Sequence, residues 1–365
     1  MPQSTGSESF RLITKIEHEL EKRGPWRQRV NLETKKILVT GGAGFMGSWL
    51  VDSLVSQGHE VVSADNFLGG KEENVNPDCE FVKADLVRRQ EVRSVVKGVD
   101  LIFHLAAYAA EGQSIFSPIS INEINLVPMN NLLVEAVNNN VQRFIFTSSM
   151  AVYGQQKPPF DEKFPRKPED PYGAAKTYCE TVLEIFSQIH NFEHVILRPH
   201  NVYGPRQNIS DPYRNVLGIW INMIMRGKPP IIYGDGKQSR AFSYIDDVTP
   251  AIVNAGFNAK AKGQIFNIGT DQPTAIAKAC KLVLEVMGSE LKPQYEKARP
   301  GEVKHAYCTV KKSINLLGYE TRNGLKDGLE KMVEWARKVG PQEPTYTLPL
   351  EITKGAPRVW LEKAI

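Results

Sequence analysis

Tyr172 and Lys176 stand four residues apart, just after Pro171 and at the start of a long helical stretch, 174–189. At that spacing two side chains share one helical face. A tyrosine works as acid and base near neutral pH only if its phenol falls from about 10 by roughly three units, on the order of 4 kcal/mol of differential stabilisation. A neighbouring ammonium supplies part of it. The pattern occurs four times, at Tyr153/Lys157, Tyr172/Lys176, Tyr233/Lys237 and Tyr307/Lys311. Pro158-Pro159 interrupts the first, Gly234-Asp235-Gly236 turns the third, and the fourth lies in a β-branched stretch, so only Tyr172 and Lys176 are set to act together. Upstream, the apolar run 143–147 ends in Ser148 and Ser149. Taken singly these are cap or turn residues. Beside the Tyr and Lys, a serine there can share a hydrogen bond with a substrate oxygen and the phenol.

A second constellation is Gly41-Gly42-Ala43-Gly44-Phe45-Met46-Gly47, between a β-branched run and a helical stretch. A phosphate approaches backbone N–H groups at a helix N-terminus only where no Cβ intervenes. Gly41, Gly44 and Gly47 meet that need, and Asp65 ends the next strand 18 residues beyond Gly47. A carboxylate there accepts hydrogen bonds from ribose hydroxyls and repels a 2′-phosphate. No arginine follows in Asn66-Phe67-Leu68, which predicts NAD rather than NADP. Asp85, after the third strand, is placed either to reach the adenine edge or to cap a helix.

The frame for these groups is an alternation of short apolar runs and helical stretches. Strands are predicted at 37–40, 60–64, 79–83, 101–105, 143–147 and 194–197, with helices at 48–57, 91–97, 121–138 and 173–190. That order predicts an α/β fold, a doubly wound parallel sheet with helices on both faces. After Arg198 the alternation loosens and Pro, Gly and Asn become frequent, marking a smaller C-terminal substrate-binding region. The expected domains are an extension at 1–35, a dinucleotide-binding domain at 36–200, a substrate region at 201–335 and a tail at 336–365. Segments 241–245 and 264–268 are expected to return as strands to the first sheet, and 310–339 to form one or two closing helices. The last 25 residues, with four prolines, read as a surface wrap. In the extension, Leu12, Ile13, Ile16 and Leu20 form one stripe of an amphipathic helix between Phe10 and Arg23, read as a docking or oligomer helix.

The 365 residues are 41% apolar and 24% charged, which excludes a disordered or disulfide-stapled chain. Net charge is +4, a balance that raises the question of a nucleic-acid partner. Residues 1–36 carry +3 and 336–365 carry +2, leaving the body at −1, so phosphate-backbone binding is not expected. Four dispersed cysteines lack metal-ligand spacing, so no metal is expected. The N-terminus has no apolar signal core, and no apolar run is long enough for a membrane span, which together predict a cytoplasmic protein.

The segments TGGAGFMG, FHLAA, SSMAVYG, PYGAAK and RPHNVYGP together make residues 36–335 resemble the extended short-chain dehydrogenase/reductase family with its Rossmann-type fold. Within it they are similar to the NAD-dependent nucleotide-sugar epimerases and dehydratases, the UDP-glucose 4-epimerase branch in particular. The resemblance implies a tightly held NAD contacted also by Phe45, Met46, Asn66, Leu86, Leu105, Ala106 and Ala107. It implies a nucleoside diphosphate sugar between the two regions, with Ser149, Tyr172 and Lys176 catalytic and Asn201, Arg240, Arg299 and Glu302 on the nucleotide. A homodimer formed through helices near 121–138 and 173–190 is implied as well.

Dehydratases of this family carry Asp-Glu where this chain has Met150-Ala151, and decarboxylating members place Glu at the Ala151 position. Met and Ala transfer no protons, so the expectation is a 4-epimerase, UDP-glucose/UDP-galactose first. Alternatives in the same pocket are UDP-glucuronate or N-acetylhexosamine 4-epimerisation and 4-keto-sugar reduction. An alternative outside enzymology is an NAD-binding scaffold that uses its basic ends. Three departures bear on the sugar: Pro199-His200 where many 4-epimerases have Tyr-Phe, Ala109 where some carry lysine, and Ala306 near a position where a tyrosine restricts the pocket in some relatives. His200 reads either as an extra donor or as a packed ring.

Overall fold

The computed structural model describes residues 33–365, so the predicted helix between Phe10 and Arg23 lies outside the described residues. The first half alternates as its apolar runs require: β1 (Lys36–Thr40), α1 (Phe45–Ser56), β2 (Glu60–Asp65), β3 (Glu80–Lys83), α2 (Arg89–Val96), β4 (Leu101–His104), a short α3 (Glu111–Ser114), α4 (Pro118–Asn138), β5 (Arg143–Thr147), α5 (Pro171–His190) and β6 (Glu193–Pro199). The second half continues with β7 (Val202–Tyr203), α6 (Val216–Met225), β8 (Ile231–Tyr233), β9 (Ser239–Ala241), β10 (Ser243–Tyr244), α7 (Ile245–Phe257) and β11 (Gln264–Ile268). It closes with β12 (Pro273–Ala275), α8 (Ile276–Met287), β13 (Gln294–Glu296), β14 (His305–Ala306), α9 (Lys311–Leu317), α10 (Leu325–Val339) and α11 (Arg358–Leu361).

Seven parallel strands in the order β11-β6-β5-β4-β1-β2-β3 make the main sheet. Strand periodicity sends alternate side chains to opposite faces. Ile37 and Val39 pack with Leu50 and Leu54 of α1 and Ala251 and Ile252 of α7, whereas Leu38 packs with Met129 and Leu133 of α4 and Leu183 of α5. Both faces are thereby covered, the condition for an all-parallel sheet. The chain leaves β1 toward β2 and β3 on one side and returns through β4, β5 and β6 on the other. The crevice at that reversal is where such sheets hold ligands.

One returning strand was placed correctly by sequence and one was not. β11 pairs in parallel with β6. The segment 241–245 does not join the main sheet: β9 lies between β12 and β14 in a separate three-stranded sheet, and β10 pairs only with β7. Ser243 interrupts the run 241–245, and the chain divides there into two short strands, β9 and β10, that belong to the small sheets above the crevice. A third core, with Trp220 of α6, Val283 of α8 and Met332 of α10, supports this region. Lys35–Ile365 forms one compact unit, so the boundary near residue 200 separates two lobes of one body.

Candidate active site

Every site residue nominated from sequence lines one cleft of about 440 Å³ between the two lobes, within the usual range for small-molecule sites. Its floor is the turn from β1 to α1. Gly41 has φ of +71°, and a Cβ on it would lie 2.8 Å from the Ala106 backbone. A Cβ on Gly47 would come within 2.0 Å of the Gly41 carbonyl oxygen. No side chain caps α1 at Gly44, so its first N–H groups are left for a ligand. Asp65 accepts hydrogen bonds from the N–H groups of Ala43 (3.1 Å) and Phe67 (2.8 Å). Burial pushes its carboxyl up while these N–H groups oppose that rise, so the loop is braced on the acid. A dinucleotide fits this cradle: the backbone accommodates a pyrophosphate, and the acid has lone pairs left for ribose hydroxyls. Asp85 also lines the cleft, while its Oδ1 accepts from the Val87 N–H at 3.1 Å, so it serves as a turn cap and a wall residue together.

At the C-terminal ends of β5 and β6 the remaining groups converge. Asp170 caps α5 by accepting from the Gly173 N–H (2.8 Å), which fixes the first turn that carries Tyr172 and Lys176. The two serines separate into different roles. Ser148 points inward and donates to Glu180, whereas Ser149 accepts from the Ala151 N–H at 3.1 Å and acts on the Tyr172 phenol, which it pulls down. Lys176 donates to the Thr147 carbonyl at 2.9 Å, and its Nζ lies 5.8 Å from the Tyr172 ring centroid. Burial lowers its ammonium to about 8. Under these groups sits an ion network that sequence did not reveal. Glu180, fully buried, takes both Nε and Nη2 of Arg198 (2.8 and 2.6 Å) and Nε of Arg166 (2.5 Å). Removing one member of such a pair strands a buried charge and costs about 3–5 kcal/mol.

The phenol itself departs from the expectation. Tyr172 is pushed above its ordinary value, first by burial and next by the Glu111 carboxylate, with Asp170 adding to the rise. Ser149 and Arg214 pull it down, but they do not prevail. Glu111, on the cleft wall, is itself raised by loss of solvent and by Asp170, against the pull of Arg240 and Arg299. Sequence reasoning passed over Glu111, Arg214 and Tyr233. Glu111 belongs to no periodic pattern, Arg214 was hidden in a loop, and Tyr233 was set aside with its Tyr-x-x-x-Lys match. The Arg214 guanidinium pairs with Asp211 at 2.6 Å and lies 4.5 Å from the Tyr108 ring centroid.

On the upper wall Glu302 links two cations, at 3.0 Å from Arg299 and 3.4 Å from Arg240. Asn201 follows β6 with φ of +34° and donates to the Ala241 carbonyl at 3.0 Å, tying the sheet end to the upper lobe. Two residues singled out from sequence do not reach the cleft. His200 is fully buried and packed, with its imidazole lowered to about 4 by burial. Ala306 is buried in a small cluster with Met150, Tyr153, Phe160 and Cys308.

A doubly wound sheet, a glycine cradle braced on an acid, and a Ser, Tyr and Lys set at the strand ends define a nicotinamide-dinucleotide enzyme. The NAD dependent epimerase/dehydratase family matches residues 37–269, and the chain belongs to that family. It is 33% identical to the UDP-glucose 4-epimerase of Mycolicibacterium smegmatis over 312 residues, covering 83% of this chain and 98% of that protein. It is similar to the crystal structure of UDP-glucose 4-epimerase with UDP-glucose from Thermotoga maritima, at 34% identity and a TM-score of 0.78, covering 83% of this chain and 99% of that one. The UDP-glucuronic acid 4-epimerase of Bacillus cereus, in complex with UDP-glucuronic acid and NAD, is 29% identical with a TM-score of 0.78, covering 83% and 99%. The protein is an NAD-dependent epimerase.

Proposed function

We propose that the protein interconverts nucleotide sugars at C4, with UDP-glucose and UDP-galactose as its pair. The observation that carries this is the set of groups at Tyr172: Ser149 and Lys176 line the cleft with it, while Met150 and Ala151, at the positions where the dehydratases and decarboxylating members carry acids, transfer no proton. The relatives named for UDP-glucose support the substrate class. Glu111 supports a neutral sugar, because a carboxylate beside the phenol repels a uronate while it can accept hydrogen bonds from hydroxyls.

In this reading Ser149 and Tyr172 hold the sugar 4-hydroxyl, and Tyr172 takes its proton and later returns it. When bound, NAD supplies the acceptor for the C4 hydride and then the donor that gives it back to the opposite face of the ketone. Gly41, Gly44 and Gly47 would hold its pyrophosphate, Asp65 a ribose, and Lys176 the nicotinamide end. Arg240 and Arg299 neutralise the substrate diphosphate, and their shared tie to Glu302 fixes both guanidinium planes. We also propose that the enzyme works as a homodimer. Tyr178, Ile185 and Ile189, exposed along one stripe of α5, offer an apolar seam.

The test is a panel of UDP-, GDP-, CDP- and dTDP-sugars on the purified wild type and on Tyr172→Phe. Conversion of UDP-galactose to UDP-glucose is expected in the wild type, with a loss of about 10²-fold or more in the variant and unchanged NAD content. Full turnover by Tyr172→Phe would overturn the mechanism. NAD binding with no sugar converted would favour the scaffold.

A further inference from the structure

The C-terminal segment does more than wrap the surface. It begins on the upper lobe, where the Gln342 N–H donates to Asn222 and the Thr345 N–H to the Ser210 carbonyl, both at 2.8 Å. It then crosses to the lower lobe. There Glu351 accepts from the N–H groups of Ile119 and Ser120 at 2.8 Å each, and Ser117 donates to the Pro349 carbonyl at 2.8 Å. Finally it returns to the upper lobe, where Lys228 and Arg226 donate to the carbonyls of Ala364 (3.1 Å) and Ile365 (3.3 Å). The segment thus ties both lobes across the mouth of the cleft, and Trp360 and Ile365 become part of its wall.

Trp360 lies where the chemistry of the wall changes. Moving away from Tyr172, the cleft offers the guanidinium groups of Arg240 and Arg299, which suit a diphosphate. Arg299 lies 4.9 Å from the Tyr233 ring centroid, and Trp360 packs edge-on against that same ring at 6.3 Å and against Tyr213 at 5.0 Å. A cationic step followed by an aromatic wall matches the order of diphosphate and nucleoside. The Trp360 indole N–H faces the Tyr233 hydroxyl and pulls that phenol down against burial, so the two rings stand together as one stretch of wall.

We infer that Trp360, delivered by the C-terminal strap, is a specificity-determining residue that forms the nucleoside end of the substrate site. This rests on the reading that the substrate is a nucleoside diphosphate sugar. UDP is the probe, titrated calorimetrically into NAD-loaded wild type, Trp360→Leu and Trp360→Phe, with NAD affinity and circular dichroism measured alongside. Trp360→Leu is expected to weaken UDP about tenfold or more, and Trp360→Phe, which keeps a ring and loses the N–H, about threefold, with NAD affinity unchanged. Should the leucine variant misfold, the phenylalanine variant decides. Smaller losses in a folded variant overturn the role of Trp360 while leaving the epimerase reading intact. A wild type that binds NAD but no UDP overturns both.

Discussion

At Tyr172 the surroundings divide into groups that favour the phenolate, Ser149 and Arg214, and groups that oppose it, Glu111 and Asp170 together with burial itself. The groups around Tyr172 by themselves therefore favour the protonated phenol. Glu111 is the group to change. Glu111→Gln removes a negative charge beside the phenol, so less free energy is needed to ionise it and the low-pH limb of the kcat profile should move to lower pH. A limb that stays in place or moves up would show that Glu111 does not act on Tyr172. The pair Tyr172 and Lys176 was legible because helical spacing and a leading proline are written in the sequence. Glu111 was not, because its effect arises from a loop brought against α5 by tertiary packing.

At the scale of elements, the strands of the parallel sheet were readable because two-sided burial demands continuous apolar runs, as in β1 and β5. The small sheets above the crevice were not, since strands of two or three residues such as β10 carry no period to read. The same burial gives the sheet a pH dependence. His104, at the end of β4, is lowered to about 3 by burial and the Lys176 charge, and His200, just after β6, is lowered to about 4 by burial. Both are held neutral when folded and accept a proton near the ordinary value of 6.5 when unfolded. Their contribution is therefore full above that value and is lost as pH falls through it toward the folded values. Urea denaturation should show a loss of about 2 kcal/mol per histidine between about pH 7 and about pH 5. A midpoint that does not fall over that interval would mean that these rings are not held neutral.

For the whole molecule, the two lobes are one body, joined by β11 returning to the sheet and by the C-terminal strap across the cleft. The strap does run over the surface, as its sequence predicts, but its prolines hide any period, and only the fold shows Trp360 turned inward. The basic surplus lies at the chain ends, and the cleft uses a few placed cations instead of a general field. Sedimentation should find twice the chain mass, 81.8 kDa from a 40.9 kDa chain. Ile185→Asp should return it to one chain mass with its fold intact, and a wild type of single mass would remove the dimer. The central claim is transient oxidation at C4 with Tyr172 as the proton carrier. Its most direct test is conversion of UDP-galactose in D2O followed by proton NMR. The account predicts UDP-glucose that keeps its own hydrogen at C4, with no net reduced nicotinamide. No conversion, deuterium at C4, or stoichiometric oxidation or reduction of the cofactor would contradict it.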